Sequence, residues 1–194
     1  ADASPEQLAG IGVGSPGPLD PQRGVLLDLP NLGWRNVELK DHLEAAFDCP
    51  AEILNDVDAG TYGEARFGAG REARTVLGVF PGTGVGAGCV YNGEILVGNG
   101  RSILELGHCC VQPGGALCGC GNRGCLETVA SRLSIAAAAA AAAYRGDAPH
   151  LLENTGMNIA DIRSKALAAS IAAGDTAVET IVRRAADWLG IGIS

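Results

Sequence analysis

The residues best suited to chemistry in this chain are one histidine and three cysteines in a short stretch. His108, Cys118, Cys120 and Cys125 are separated by nine, one and four residues. Structural zinc sites hold the ion with four nitrogen or sulfur ligands at the corners of a tetrahedron. Glycines between the cysteines let a short loop fold back so that three thiolates converge. The spacing therefore predicts a structural zinc site with these four ligands.

The other cysteines leave alternatives open at this point. Cys109 and Cys110 are rival ligands because they directly follow His108. Side chains alternate along an extended segment, so both thiols cannot face one ion, and we prefer the histidine. Cys49 and Cys89 are interpreted as core residues. Incidental burial of all these thiols, without a metal, is the remaining alternative.

A carboxylate follows a short apolar segment predicted to be a strand over 51–54. Asn55 and Asp56 come at its end, before a helix predicted over 57–66. In α/β folds, ligands bind at the carboxyl ends of strands. A carboxylate there can take a proton from a substrate hydroxyl. The alternative is that the Asn-Asp pair serves as a helix N-cap.

Glycine alternates with other residues over 82–88, after a strand predicted at 75–80. Consecutive N–H groups of such a loop can form a nest for a phosphate group. The loop has no lysine, and a hairpin predicted over 89–97 follows it instead of a helix. It is therefore neither a Walker A motif nor a dinucleotide fingerprint. A glycine-rich hairpin corner without a ligand is the alternative.

Two acidic residues are tied by sequence to the predicted zinc loop. Glu105 precedes His108 by three residues, and Glu127 follows Cys125 by two. Carboxylates are good bidentate acceptors of hydrogen bonds, so these two suit the hydroxyls of a sugar. The alternative is that both are solvated surface acids.

Hydrophobic periodicity places these residues on a chain of alternating strands and helices, which indicates an α/β fold with two domains. The predicted domains are 1–73 and 74–194, the second carrying the zinc loop 105–127. A strand predicted over 9–14 has few residues before it and is expected to pair outside the chain. The predicted helices are 37–47, 57–66, 126–144, 159–173 and 175–192, and eight consecutive alanines in the third predict close packing.

The composition excludes several classes of protein. The 194 residues carry a net charge of −8, so we expect no binding of nucleic acid by this segment. Seven cysteines, three of them clustered, favour a reducing compartment and a metal site over disulfides. No apolar run is long enough for a membrane span, and residues 1–10 lack the features of a signal peptide. We expect a cytoplasmic protein without membrane contact.

The motifs, in this order, resemble those of the ROK family (repressor, open reading frame, kinase). The most specific part is Glu105-Leu106-Gly107-His108 followed by Cys118-Gly119-Cys120-Gly121-Asn122-Arg123-Gly124-Cys125-Leu126-Glu127. Further matches are Ser15-Pro16-Gly17-Pro18, Pro30-Asn31-Leu32-Gly33-Trp34, Asn55-Asp56 with Gly63-Glu64, and Gly82-Thr83-Gly84-Val85-Gly86.

This resemblance implies an actin-like, ribonuclease-H-like ATPase fold with the active site between two α/β domains. It implies a glucokinase-like enzyme that phosphorylates a hexose at the 6-hydroxyl with ATP and Mg²⁺, and it suggests a homodimer. Asp56 would be the catalytic base. The sugar would be bound by Gly17, Asn55, Glu105, His108 and Glu127, with the second ring nitrogen of His108 bound to zinc. The ATP phosphates would contact Gly82, Thr83, Gly84 and Gly86.

The chain departs from the family pattern at both ends. The first phosphate loop of the family, Asp-x-Gly-x-Thr, is not found, and the chain stops while the last helical pattern is running. We therefore expect a fragment that does not phosphorylate sugar by itself. The rival function is a sugar-sensing transcriptional repressor of the same family, which would carry a winged helix before this segment.

Overall fold

The structure is a computed structural model, and it describes residues 8–29, 32–98 and 104–194. Contacts divide these residues into two units. The first lies within Ala1–Val79 and Ala87–Leu104, and the second within Phe80–Gly86 and Glu105–Ser194. The division at residue 73, drawn from the order of the elements, differs from this one. Most of the hairpin that follows residue 73 groups with the first unit.

The first unit contains a parallel strand pair that ends at the predicted carboxylate. Strand β1 (Ile11–Ser15) pairs with β5 (Ala51–Asn55) from Ile11 opposite Ala51 to Ser15 opposite Asn55. The expectation that the first strand must pair outside the chain is therefore wrong. The missed partner is the short strand at 51–55, which the chain reaches through a crossover.

The crossover contains a small antiparallel sheet that the sequence did not predict. It consists of β2 (Leu19–Asp20), β3 (Val25–Leu29) and β4 (Trp34–Glu38) in the order β2–β3–β4, and α1 (Leu39–Phe47) follows. These strands have two to five residues, too short for a clear alternating pattern. Their inward side chains form a core with β5, made of Leu19, Leu26, Leu29 and Ile53.

Helix α2 (Asp56–Phe67) begins directly after β5 because a side chain caps it. The Asn55 side-chain oxygen accepts hydrogen bonds from the N–H groups of Val57 and Asp58, at 3.1 and 3.4 Å. The N-cap alternative for the Asn-Asp pair thus holds for Asn55. The first unit also holds most of a sheet made of β6 (Thr75–Pro81), β7 (Val85–Tyr91) and β8 (Glu94–Ile95).

The second unit is built around alanines. Helix α3 (Glu127–Ala130) and α4 (Arg132–Tyr144) are followed by α5 (Pro149–Thr155), α6 (Ser164–Ala172) and α7 (Thr176–Ile193). Every third or fourth alanine of the run is buried, which lets α4 pack closely on its neighbours and confirms that expectation. The buried cluster is Ala136, Ala139, Ala142, Ala143, Ala148, Leu151, Ile162, Leu167 and Val178.

The helix predicted over 126–144 is broken at Ser131, which is an error of the sequence prediction with a clear cause. Ser131 has extended backbone with φ −70° and ψ 155°, and its hydroxyl caps α4 by accepting from the N–H of Ser134 at 3.1 Å. The N–H of Arg132 donates to the carbonyl of Gly82 at 2.8 Å instead of to its own helix. A partner distant in sequence therefore ends one helix and begins the next.

Two further helix boundaries depend on side chains. The predicted helix 159–173 begins at Ser164, because Asn158 binds the N–H of Ala160 and the carboxylate of Asp161 in a local turn. Helix α5 was not predicted at all.

Among the described residues, no helix combines the length and the apolar character needed to cross a membrane.

Helix α5 has no capping side chain at its own N-terminus and is capped instead by Asp175, a residue only 4% exposed. The Asp175 carboxylate accepts from the N–H of Leu151 at 2.9 Å, the N–H of His150 at 3.4 Å and the hydroxyl of Ser170 at 2.6 Å. Burial opposes ionisation of this carboxyl, but these hydrogen bonds outweigh burial and lower its pKa below the ordinary 3.8.

Asp175→Ala is expected to lower the free energy of unfolding by about 2–3 kcal/mol, because it removes a helix cap and strands buried donors. Asp147→Ala is the matched control. Asp147 makes an exposed ion pair with Arg145 at 2.9 Å, so its loss should cost under about 0.5 kcal/mol. Denaturant titration of both variants measures the difference, and equal losses would refute the cap.

The pH dependence has a definite sign. The pKa of Asp175 is lower in the folded state, so its contribution is complete above pH 3.8 and is lost as the pH falls through the folded-state pKa. The difference in free energy of unfolding between the parent and Asp175→Ala should therefore decrease as the pH falls below 3.8. A gap that stayed constant down to acid unfolding would contradict an ionised cap.

Candidate functional site

The structure brings the four predicted zinc ligands together. One ligand atom from each of His108, Cys118, Cys120 and Cys125 lies within 4.8 Å of the other three. Cys109 and Cys110 do not belong to this group, and both are exposed. The Cys110 thiol lies instead 3.4 Å from the carbonyl of Arg123.

The spacing of the ligand atoms fits a tetrahedral zinc ion. With zinc–sulfur bonds of about 2.3 Å and zinc–nitrogen bonds of about 2.0 Å, two sulfurs lie about 3.8 Å apart and a sulfur and a nitrogen about 3.5 Å apart. The Cys120 and Cys125 sulfurs are separated by 3.7 Å, and the Cys118 sulfur lies 3.5 Å from Nδ1 of His108. The observed distances match two edges of such a tetrahedron.

The backbone of the loop forces this convergence. The N–H of Cys118 donates to the carbonyl of Asn122 at 2.8 Å, which closes the turn that carries Cys120. Gly124 has φ +75°, and a side chain there would collide with the backbone of Gln112. Glycine at this position lets the loop return so that Cys125 faces the group.

The thiols of Cys125 and Cys120 lie in different environments. Burial, followed by hydrogen bonding with Cys120, raises the pKa of the Cys125 thiol to about 12. A backbone hydrogen bond with Asn122 lowers the pKa of the exposed Cys120 thiol. A divalent cation binds thiolates, so metal binding here must release the Cys125 proton. Cys49 and Cys89, interpreted as core residues, are buried, as expected.

His108 presents its two ring nitrogens to different partners. It lies in a short 3₁₀ turn, Leu106–His108, and its Nδ1 faces Cys118. Its Nε2 lies 4.0 Å from the carboxylate of Glu105, whose side chain is 71% exposed. The nitrogen opposite the ligand group therefore stands beside an accessible acid.

Glu127 is held between the ligand group and the glycine segment. One carboxylate oxygen accepts from the N–H of Val85 at 3.3 Å, and the other lies 3.9 Å from the sulfur of Cys118. A side chain on Gly84 would collide with this carboxylate. The absence of a Cβ at Gly84 is thus what lets Glu127 reach the turn.

The loop predicted over 82–88 is a turn of only three residues, 82–84, in the structure. Strand β6 extends to Pro81 and β7 begins at Val85, so Gly86 lies in a strand. Within the turn, the N–H of Gly82 donates to the carbonyl of Gly84 at 2.8 Å. An anion at this turn would therefore meet mainly the N–H groups of Thr83 and Gly84 and the hydroxyl of Thr83.

Arg132 is a contact of this turn that the sequence analysis missed. Its guanidinium donates to the hydroxyl of Thr83 at 3.2 Å across 49 residues of sequence. The glycine segment itself contains no lysine or arginine. The helix predicted over 126–144 placed Arg132 in its interior, so the local sequence did not mark it as a contact of the turn.

In the first unit, Asp56 is exposed at the first position of α2, where it follows the parallel strand pair. One of its oxygens accepts from the N–H of Val57 at 3.0 Å. Because Asn55 caps the helix with its amide oxygen, its amide nitrogen is the atom suited to bind a ligand. Gly17 has φ +84° in the turn between β1 and β2, close to Leu29.

Comparison with known proteins identifies sugar kinases and transcriptional regulators among the relatives of this chain. The sequence model of the ROK family matches residues 1–194. A glucokinase of Halalkalibacterium halodurans is 46% identical over 134 residues, which are 69% of this chain and 41% of that protein. The chain thus spans less than half of this curated relative.

Two solved structures agree with the fold over nearly the whole chain. A ROK family glucokinase from Streptomyces griseus in complex with glucose and AMPPNP matches with a TM-score of 0.81 and 33% identity, over 96% of this chain and 61% of that one. A ROK family transcriptional regulator, a homolog of the E. coli MLC protein, matches with a TM-score of 0.83 and 30% identity, over 95% and 46%. The predicted α/β, actin-like ATPase fold is confirmed.

Gly84→Ala tests whether the missing side chain at Gly84 lets the Glu127 carboxylate reach the N–H of Val85. The new methyl group should displace the carboxylate from Val85 and lower the free energy of unfolding by about 0.5–1.5 kcal/mol, the value of one hydrogen bond. Gly12→Ala is the control because a side chain at Gly12 meets nothing within 4 Å. In a Glu127→Ala background the Gly84→Ala cost should vanish. A cost that persists there would show that Glu127 is not the obstacle.

Proposed function

This chain belongs to the ROK family, and we propose that the protein containing it is a sugar kinase, which transfers the terminal phosphoryl group of ATP to the 6-hydroxyl of a hexose, glucose or a related sugar. The observation that carries the proposal is Asp56, an exposed carboxylate at the end of a parallel strand and the start of a helix. The similarity to a glucokinase crystallised with glucose and AMPPNP supports it.

Asp56 is the proposed general base. Its carboxylate takes the proton of the 6-hydroxyl as the phosphoryl group arrives, which makes the oxygen a better nucleophile. One oxygen is oriented by the N–H of Val57, and the other is available to the hydroxyl. Phosphoryl transfer depends mainly on positioning and on charge neutralisation, so few side chains are needed. Mg²⁺ bound to ATP supplies part of that neutralisation.

The remaining hydroxyls of the sugar are assigned to Asn55, Glu105, His108 and Glu127, with Gly17 providing close approach of the backbone. Glu105 is exposed and can accept two hydroxyl hydrogens. His108 is suited to donate from Nε2, because its Nδ1 faces the sulfur group. The phosphate groups of ATP are assigned to the turn of Gly82, Thr83 and Gly84, with Gly86 at the start of the adjoining strand.

Zinc is the proposed occupant of the cysteine–histidine group, with a structural role. Three sulfurs and one nitrogen would fill the four positions of a tetrahedral ion and would leave no open position for a reacting water. The ion would fix the ring of His108 and the loop that ends at Glu127. Its contribution is therefore to place two sugar-binding side chains.

The homodimer and the cytoplasmic location remain predictions.

The second candidate is a sugar-sensing transcriptional regulator. The observation in its favour is the match to a ROK family transcriptional regulator with a TM-score of 0.83. Such a protein needs a DNA-binding segment in addition to this chain, and it needs no general base. Turnover that depends on Asp56 separates the two functions, whereas sequence-specific DNA binding released by a sugar would favour the regulator.

Metal analysis of the full-length protein is expected to find about one zinc per copy of this chain. Cys120→Ala should remove most of it and weaken sugar binding, because the loop has little apolar core of its own. Cys110→Ala is the matched control, since this thiol is also exposed but lies outside the group. Zinc loss in the control and not in Cys120→Ala would refute the ligand assignment.

Asp56→Asn in the full-length protein should lower kcat by about 10²–10⁴ with glucose affinity nearly unchanged, because the amide keeps an acceptor for Val57 but cannot take a proton. Coupled assays and calorimetry measure the two quantities. Glu105→Gln and Glu127→Gln are the comparison variants, which should mainly raise KM. Near-normal turnover of Asp56→Asn would mean that Asp56 serves only the helix terminus.

A further inference from the structure

A cavity of about 480 Å³ lies within the second unit, beside the glycine turn. This volume is in the range of small-molecule sites in proteins. Apolar side chains such as Leu133 and Ile159 form much of its lining, and its polar side chains are Thr83, Arg132 and Arg163. It therefore combines an apolar wall with a hydroxyl and two cations.

The charge of this cavity is opposite to that of the chain. The sequence has 22 acidic and 14 basic residues, yet the described residues that line the cavity include two arginines and no acid. Asp161 is close in sequence to Arg163, but it binds the side chain of Asn158 at 2.6 Å. Both arginines are exposed, so their charges are accessible to an anion that enters from solvent.

Arg132 binds the glycine turn at two points. Its backbone N–H donates to the carbonyl of Gly82 at 2.8 Å, and its guanidinium donates to the hydroxyl of Thr83 at 3.2 Å. The first bond is the one that separates α4 from α3. The start of α4 is thus placed so that one residue fixes both the backbone and the side chain of the turn.

The bond from Arg132 assigns an acceptor role to the Thr83 hydroxyl oxygen. A hydroxyl has one hydrogen to donate and two lone pairs that accept. Because a lone pair of Thr83 accepts from Arg132, the hydroxyl hydrogen stays available to a different acceptor. We propose that Arg132 is a positioning residue for the phosphoryl donor, holding Thr83 so that its O–H donates to a phosphate oxygen of ATP.

The proposal rests on the proposed kinase function and adds a residue to it. The positive charge of Arg132 makes the Thr83 hydroxyl a stronger hydrogen-bond donor, so Arg132 acts on the phosphates through Thr83. The glycine turn contains no lysine, and the bond from Arg132 to Thr83 is its link to a cation. The role proposed for Arg132 concerns the phosphates alone, so its loss should leave the binding of a nucleoside without phosphates unchanged.

The test is equilibrium binding of AMPPNP with Mg²⁺ to the full-length protein. Arg132→Ala should weaken binding about ten- to a hundredfold, as expected for a charged hydrogen bond, whereas the affinities for adenosine and glucose stay unchanged. Arg132→Lys should recover much of the loss. Arg183→Ala is the control, an exposed arginine of α7 paired with Glu179, and should bind like the parent.

A double-mutant cycle tests the action through Thr83. Thr83→Ala should weaken AMPPNP binding, and adding Arg132→Ala should weaken it little further. Additive losses would overturn the positioning role, as would an Arg132→Ala variant that binds AMPPNP normally or loses adenosine equally. If the parent binds AMPPNP but phosphorylates no hexose, the proposed function fails while this inference is still decided by the cycle.

Discussion

In the second unit, one ligand atom from each of four side chains lies within 4.8 Å of the other three, and much of the surrounding chain is arranged to bring these atoms together. Residues 105–125 contain short turns and isolated bridges, with a single 3₁₀ turn as regular structure. A loop of this kind buries little apolar surface, so its shape depends on polar contacts and on the ligand group itself. Both acids assigned to the sugar, Glu105 and Glu127, are adjacent to that group.

The glycine turn at residues 82–84 is contacted by two side chains from other parts of the second unit. Glu127 reaches it from the end of the cysteine loop, and Arg132 reaches it from the start of α4. The break between α3 and α4 at Ser131 makes both contacts possible, since a continuous helix would have used the N–H of Arg132 internally. The proposed sugar-binding acid and the proposed donor-positioning cation are therefore held by the same turn.

The alanine-rich helices of the second unit give this arrangement a rigid base. Buried alanines let α4 pack closely on its neighbours, and Asp175 fixes the N-terminus of α5 from a distant part of the chain. In the first unit, the parallel pair β1–β5 and the Asn55 cap hold Asp56 at a defined and exposed position. Each proposed functional residue thus lies at the end of a regular element or beside the ligand group.

The cluster of His108 with three cysteines, the acids beside it and the carboxylate after the short strand could be predicted from the sequence, because residue type and local spacing define these features. The sequence also determined the family, through the motif from Glu105 to Glu127. Only the three-dimensional structure shows the partner of β1, the small sheet at 19–38, the break at Ser131 and the contacts of Asp175 and Arg132. These features depend on hydrogen bonds between residues 24 to 50 positions apart or on strands too short to show a period, so local patterns hold no record of them.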